Sequence, residues 1–226
     1  DILFEQKVAR VVQSSGLPVP AVGELAQVNG RYGLVYQRVD GPPMWEALAR
    51  QPWRIFHLAR RMAELHVGLH AVNAPADLPD QRERIQRKIE RAAALPAEAR
   101  QQALAALDRL PAGDKLCHGD FHPGNILMTP QGEVIIDWMD TTRGNPLADL
   151  ARSTILALGA ASTAQVPQMG MKVSLRLFHF RYRREYFRLC PGGMSEYRRW
   201  LPVVAAARLS ENIPELEQWL LKRATE

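Results

Sequence analysis

Between residues 55 and 69 apolar side chains return at steps of three and four, as Ile55, Leu58, Met62, Leu65 and Leu69. That period matches one face of an α-helix, so the segment is predicted to be a buried helix, with Pro52 tolerated at its first position. The spacing recurs in Met171, Leu175, Phe178, Tyr182, Tyr186 and Leu189, which predicts a second long helix with a packed face. Between the two, Asn73 to Asp80 reads as a loop carrying Pro75 and Pro79. Two amphipathic helices follow, one around Ile85 and Ile89 and one carrying Leu104, Leu107 and Leu110, parted by Pro96. Further helices are predicted from Ser195 and from Asn212.

The beginning of the chain has another texture. Glu5 to Val12 reads as helix, and Gly16, Pro18 and Pro20 break it. Strand-like runs follow at Ala21 to Gln27 and Tyr32 to Val39, joined by Val28-Asn29-Gly30-Arg31, a strong hairpin signal. Asp40-Gly41-Pro42-Pro43 then punctuates the chain, and a lobe boundary is placed there. Residues 1–40 form a small strand-bearing part, and residues 41–226 a mainly helical one.

A second hairpin interrupts the helices. Pro and Gly at the second and fourth positions of Thr129-Pro130-Gln131-Gly132 suit a tight turn, with Ile126-Leu127-Met128 and Glu133-Val134-Ile135-Ile136 on either side. If Met128 faces Glu133, Ile126 lies opposite Ile135 and Asn125 opposite Ile136, which leaves Asp137 beside Asn125 at the open end. Opposed side chains in such a pair lie about 4.5–5.5 Å apart. An amide oxygen and a carboxylate are hard ligands, and a site with so few of them suits magnesium completed by waters and phosphate oxygens. Asp120, five residues before Asn125, is on the loop feeding the hairpin and can sit over the same spot.

Composition narrows the field. The 226 residues carry a formal charge of +5 and no apolar run near the roughly 20 residues a membrane span needs. Asp1 to Arg10 mixes both charge signs and does not read as a signal peptide. Cys117 and Cys190 make neither a disulfide framework nor a metal cluster. A cytoplasmic protein with no membrane or nucleic-acid partner is expected, its basic C-terminal stripe reading as a solvated helix face.

His118-Gly119-Asp120, four intervening residues, Asn125, the hairpin and Ile136-Asp137 resemble the catalytic loop and metal-binding Asp of the aminoglycoside phosphotransferase and choline kinase families, relatives of protein kinases. Gly144 to Ala151 looks like the segment that follows the metal Asp. Leu65-His66 looks like the family's buried helix and Leu34 to Gly41 like its adenine-binding hinge. Glu5 matches the helix Glu that pairs with a phosphate-gripping Lys. The resemblance implies an α+β, protein-kinase-like fold and transfer of the γ-phosphate of ATP or GTP, with Mg2+, to a hydroxyl of a small molecule. It implies Asp120 as catalytic carboxylate, Asn125 and Asp137 as metal ligands, and Gln37, Val39 and Glu5 at the nucleotide. The strands and Lys that the family places ahead of the helix are not among these residues, and they are expected upstream of Asp1.

Two supporting residues are expected to act through structure. His118 orients the loop by hydrogen bonding. Asp149 follows Asn145 as N-cap and Pro146 at the first helical position, and so complements a helix dipole. Two other readings stand beside the kinase. Asp120-Phe121-His122 is also the Asp-x-His of binuclear metallophosphoesterases, but only His179 follows His122 as a further histidine. A kinase-like module without activity that binds a partner is the remaining reading, and the presence of all three chemical residues argues against it. From Lys172 to Arg199 there are eight Lys or Arg against two Glu, which predicts a neutral or anionic acceptor rather than a polycationic one. Glu211, Glu215 and Glu217 could supply an acidic patch instead. Acceptor identity and oligomeric state are not written in the sequence.

Overall fold

The computed structural model describes residues 2–163 and 169–226. Helix α1 (Ile2–Ser14) packs along an antiparallel hairpin of β1 (Val22–Val28) and β2 (Arg31–Tyr36), while its Val8 and Val12 are buried with Ala74, Leu78 and Leu116. The turn has the chemistry its sequence demands: Asn29 and Gly30 both hold positive φ, at 50° and 78°, as a two-residue turn with both central residues left-handed requires. Strand β2 ends at Tyr36, short of the expected Val39. Gln37 still donates its N–H to Ala21, but the next residue across is Pro20, which has no N–H to continue the ladder.

The helical part begins with α2 (Met44–Arg50), a single 3₁₀ turn at Pro52–Arg54 and α3 (Ile55–Ala71). Next come α4 (Gln81–Arg91), capped by Asp80 accepting from the N–H of Glu83, and α5 (Ala97–Asp108) after Pro96. Strand β3 (Lys115–Cys117) pairs antiparallel with β6 (Thr142–Gly144), and between them lies the hairpin of β4 (Ile126–Thr129) and β5 (Gly132–Ile135). The chain closes with α6 (Pro146–Ala160), α7 (Met169–Leu189), α8 (Met194–Arg208) and α9 (Pro214–Ala224). The last helix starts later than Asn212 because that residue is left-handed, φ 51°, and Pro214 takes the first helical position.

Packing follows the apolar stripes. Helix α3 lies along α7, and α6 along α8, burying Leu58, Met62 and Leu69 against a core that includes Tyr182, Tyr186 and Trp200. The stripe of α7 is only half used: Phe178, Tyr182 and Tyr186 are buried, whereas Met171 is 46% exposed. The described residues include no helix long and apolar enough to cross a membrane.

Candidate active site

The β4–β5 register is the one the turn predicts, with Ile126 opposite Ile135 and Met128 opposite Glu133. One step further out the N–H of Ile136 donates to the carbonyl of Asn125 at 3.0 Å. Asp137 therefore leaves the hairpin beside Asn125, and its φ of 64° turns the chain sharply away. Its carboxylate is exposed and makes no hydrogen bond or ion pair among the described residues. Asn125 is buried, and its Nδ2 donates both to the carbonyl of Asp120 (2.9 Å) and to Asp120 Oδ2 (3.2 Å). With the amide nitrogen so engaged, the Oδ1 oxygen is the atom left for a cation. An unpaired carboxylate and a free amide oxygen at one hairpin mouth fit a hard divalent ion.

Asp120 is bracketed by positive hydrogen. His122 Nδ1 accepts the N–H of Gly124 at 2.9 Å, so Nε2 carries the proton and points at Asp120 Oδ2, 3.4 Å away. Arg152 lies 3.7 Å from Asp120 Oδ1 and donates to the carbonyl of Gly119. Partial burial opposes the charge on Asp120, but His122 and Arg152 more than offset it and hold the carboxyl below its usual range. Ionised at neutral pH, the group is acceptor-only.

The loop beneath is held from behind. His118 is fully buried; its Nδ1 accepts the N–H of Asp120 and its Nε2 donates to the carbonyl of Ile136, which ties the loop to the hairpin. Burial lowers the pKa of the ring, so it serves as a neutral strut. Asp149 does more than complement a dipole. Its carboxylate, 1% exposed, accepts the N–H groups of His118 and Gly119 at 2.8 Å each, together with the Nε2–H of His66 and of His70 at 3.2 Å. Tyr182 and Tyr186 meet the other ring nitrogens. Burial would raise the Asp149 pKa, yet the histidine bonds carry it well below the usual carboxylate range. His66 is pushed down to about 3, first by burial and then by His70, so the contact is a neutral N–H to carboxylate bond. The composite anchor was outside the sequence reading; the signal for it was two histidines four apart on the buried stripe of α3.

Glu5 and Asp137 face one cavity of about 250 Å³, together with Tyr36 and Trp138. Tyr36 donates its hydroxyl to Glu5 at 3.0 Å. Gln37 and Val39 do not line that cavity; the Gln37 amide oxygen accepts the N–H of Ala21. The chain just beyond them docks on the second hairpin, where Met128 N–H donates to Pro42 at 2.8 Å. Lys7, on α1, pairs with Asp77 instead of reaching the site. Among the described residues, one group of three metal-ligating types clusters, His66, His70 and Asp149, all buried. Asp120 and His122 stand outside it, contrary to what a binuclear Asp-x-His centre would need.

A small sheet part, a helical part and an Asp-Asn pair at the mouth of a hairpin define a protein-kinase-like phosphotransferase fold. The chain belongs to the phosphotransferase enzyme family (APH), whose model matches residues 1–186. Among solved structures, an aminoglycoside-3'-phosphotransferase of type VIII is 26% identical, with a TM-score of 0.62 over 92% of this chain and 78% of its own. An aminoglycoside phosphotransferase, APH(4)-Ia, solved with ADP and hygromycin B, gives a TM-score of 0.66 at 16% identity, over 99% of this chain and 81% of its own. A choline/ethanolamine kinase family protein from Mesorhizobium loti gives 0.51 at 18% identity, over 97% and 77%. Among curated proteins none matches.

Proposed function

We propose that this chain transfers the γ-phosphate of ATP, or of GTP, to a hydroxyl of a small organic acceptor. The observation that carries the reading is the ionised Asp120, fixed by Asn125 and His122 on a loop anchored to Asp149, within a chain of the phosphotransferase family. Residues 1–40 would form the nucleotide-side lobe, with Glu5 at the phosphates and the backbone near Gln37 and Val39 at the base. Residues 41–226 would form the acceptor side. The two cysteines are free, which suits a reducing cytoplasm.

Asp120 accepts a hydrogen bond from the acceptor hydroxyl, aligns its oxygen for attack on the γ-phosphorus and takes its proton as the new P–O bond forms. The bond between the γ-phosphorus and its bridging oxygen breaks, and the nucleoside diphosphate leaves with that electron pair. Asn125 Oδ1 and Asp137 would hold magnesium, which supplies neutralisation of charge on the phosphate oxygens when bound. The three residues thus provide the positioning and electrostatics on which phosphoryl transfer depends. The reading is tested by following ADP or GDP formation against a panel of hydroxylated metabolites and antibiotics. No acceptor-dependent diphosphate from any member, with nucleotide bound, would leave the binding-module reading in its place.

A further inference from the structure

Next to Asp120, four cations converge on a cavity that also reaches Gly119: Arg84 and Lys88 from α4, Arg152 from α6 and Arg208 at the end of α8. Three of them share one carboxylate. Glu211 lies 2.7 Å from Arg152 Nη1, 3.2 Å from Arg208 Nε and 3.7 Å from Lys88 Nζ. Arg84 pairs with Asp140 through Nη2 at 3.0 Å, while its Nη1 is buried without a hydrogen-bond partner. Asp149, also on the wall, is occupied by the loop N–H groups and the two histidines. On the cavity wall itself four cations face two carboxylates, Asp140 and Asp149; Glu211 and Asp120 stand behind the cations and bring the wider shell to four against four. Burial is the main cause that pushes both Lys88 and Arg208 down; Arg152 adds to it, and Glu211 opposes it.

The cavity has about 50 Å³ of room. A water needs about 10–15 Å³ by that measure, so a group of a few heavy atoms fits and a sugar ring does not. A larger cavity of about 270 Å³ lies alongside, lined by Trp45, His122, Leu175, Phe178 and His179, and Arg208 belongs to both. Its polar features are sparse: both ring nitrogens of His179, only 4% exposed, lack partners. Asp120 touches the first cavity through Arg152 and the second through His122, so a hydroxyl at Asp120 sits where the two meet.

We propose that the acceptor is a hydroxylated anion. Its carboxylate or phosphate monoester sits on Lys88, Arg152 and Arg208, and its apolar, ring-sized body lies against Trp45, Leu175 and Phe178. This rests on the phosphotransferase reading above for the role of the hydroxyl, whereas the anion seat itself stands on the cations and the size of the cavity. An oxyanion takes charge-assisted hydrogen bonds from several cationic donors at once, and on the wall of this cavity cations outnumber carboxylates four to two.

The test uses four matched compounds whose hydroxyl-bearing carbon lies between the ring and the variable group: mandelate, 2-hydroxy-2-phenylethyl phosphate, methyl mandelate and 2-amino-1-phenylethanol. Each is titrated calorimetrically into the full-length protein saturated with magnesium and AMP-PNP. At least one anion should bind about tenfold or more tighter than the ester and the amine, the difference a hydrogen bond to a charged group produces. The stronger of the two identifies the oxyanion. Lys88→Gln should weaken the anion by about tenfold and leave the ester unchanged, and Lys88→Arg should restore it. Equal binding of all four, preference for the amine, no binding of either anion, or indifference to Lys88→Gln overturns the inference. Consumption of ATP is followed in parallel: turnover without anion preference removes this inference alone, and anion binding without any phosphoryl transfer removes the kinase reading alone.

Discussion

The carboxylate of Asp149 accepts the backbone N–H of Gly119 at 2.8 Å across thirty residues of chain. Through that bond and its neighbour at His118 the loop that presents Asp120 is tied to helix α6, in addition to the bonds Asp120 makes with His118 and Asn125 within the loop. Asp149 also collects His66 and His70 from α3, so one buried charge ties two helices to the turn that presents the candidate catalytic group.

Removing the charge of that anchor should therefore cost both stability and activity. Asp149→Asn puts an amide hydrogen against N–H donors that are buried, and losing one side of a buried charged network costs about 3 kcal/mol or more. Chemical denaturation should show this loss. A variant as stable as the parent would show that the loop holds itself.

Gly119 carries φ 80°, and a Cβ there would run into the carbonyl of Asp140. Left-handed backbone alone costs a residue with a side chain roughly 1–2 kcal/mol, and the clash adds to it. Gly119→Ala should lower the melting temperature and depress turnover together, because the displaced N–H is the one Asp149 accepts. Thermal unfolding and a steady-state assay on the same preparation check both halves.

Asp120 and Asp137 are assigned different work, and paired variants separate them. Asp120→Asn should reduce turnover by at least about a hundredfold, the range of a lost general base, with nucleotide affinity nearly unchanged. Asp137→Ala should weaken magnesium-dependent nucleotide binding as well as turnover. Calorimetry with and without magnesium distinguishes the two, and near-parental turnover in Asp120→Asn would remove it from the chemistry.

Stability should fall as the medium is acidified below about pH 6.5. His66 is held at about 3 and His179 at about 4 by burial, while both titrate near 6.5 in the unfolded chain. Between those values the unfolded state binds the extra protons, so stability is full above the unfolded pKa and is lost as pH drops. Each ring contributes about 2 kcal/mol of loss by pH 5. Asp120 and Asp149, both held low, add to the loss only at lower pH, as each approaches and passes its own pKa. Melting temperatures measured from pH 8 to pH 5 should decline with this shape, and His179→Phe should flatten it; an unchanged decline would place the titration elsewhere.

What was legible in the sequence is what neighbouring residues decide among themselves. Val28-Asn29-Gly30-Arg31 and Thr129-Pro130-Gln131-Gly132 specify turns because backbone sterics act over a few bonds, and alternation then sets the register that brings Asp137 beside Asn125. Asn145 caps α6 by accepting the N–H of Leu147, again a local matter. Strand β2 stops early because the residue opposite is Pro20, a pairing that local reading does not reveal. The anchor and the cation cluster arise only when helices distant in sequence pack. Asp149 meets His66 across eighty-three residues, and Lys88, Arg152 and Glu211 come from three separate segments. Charge in a sequence has no address until packing gives it neighbours and removes water. Glu211 could be read as part of an acidic patch, but the fold surrounds it with Lys88, Arg152 and Arg208, so its partners were decided by tertiary structure alone.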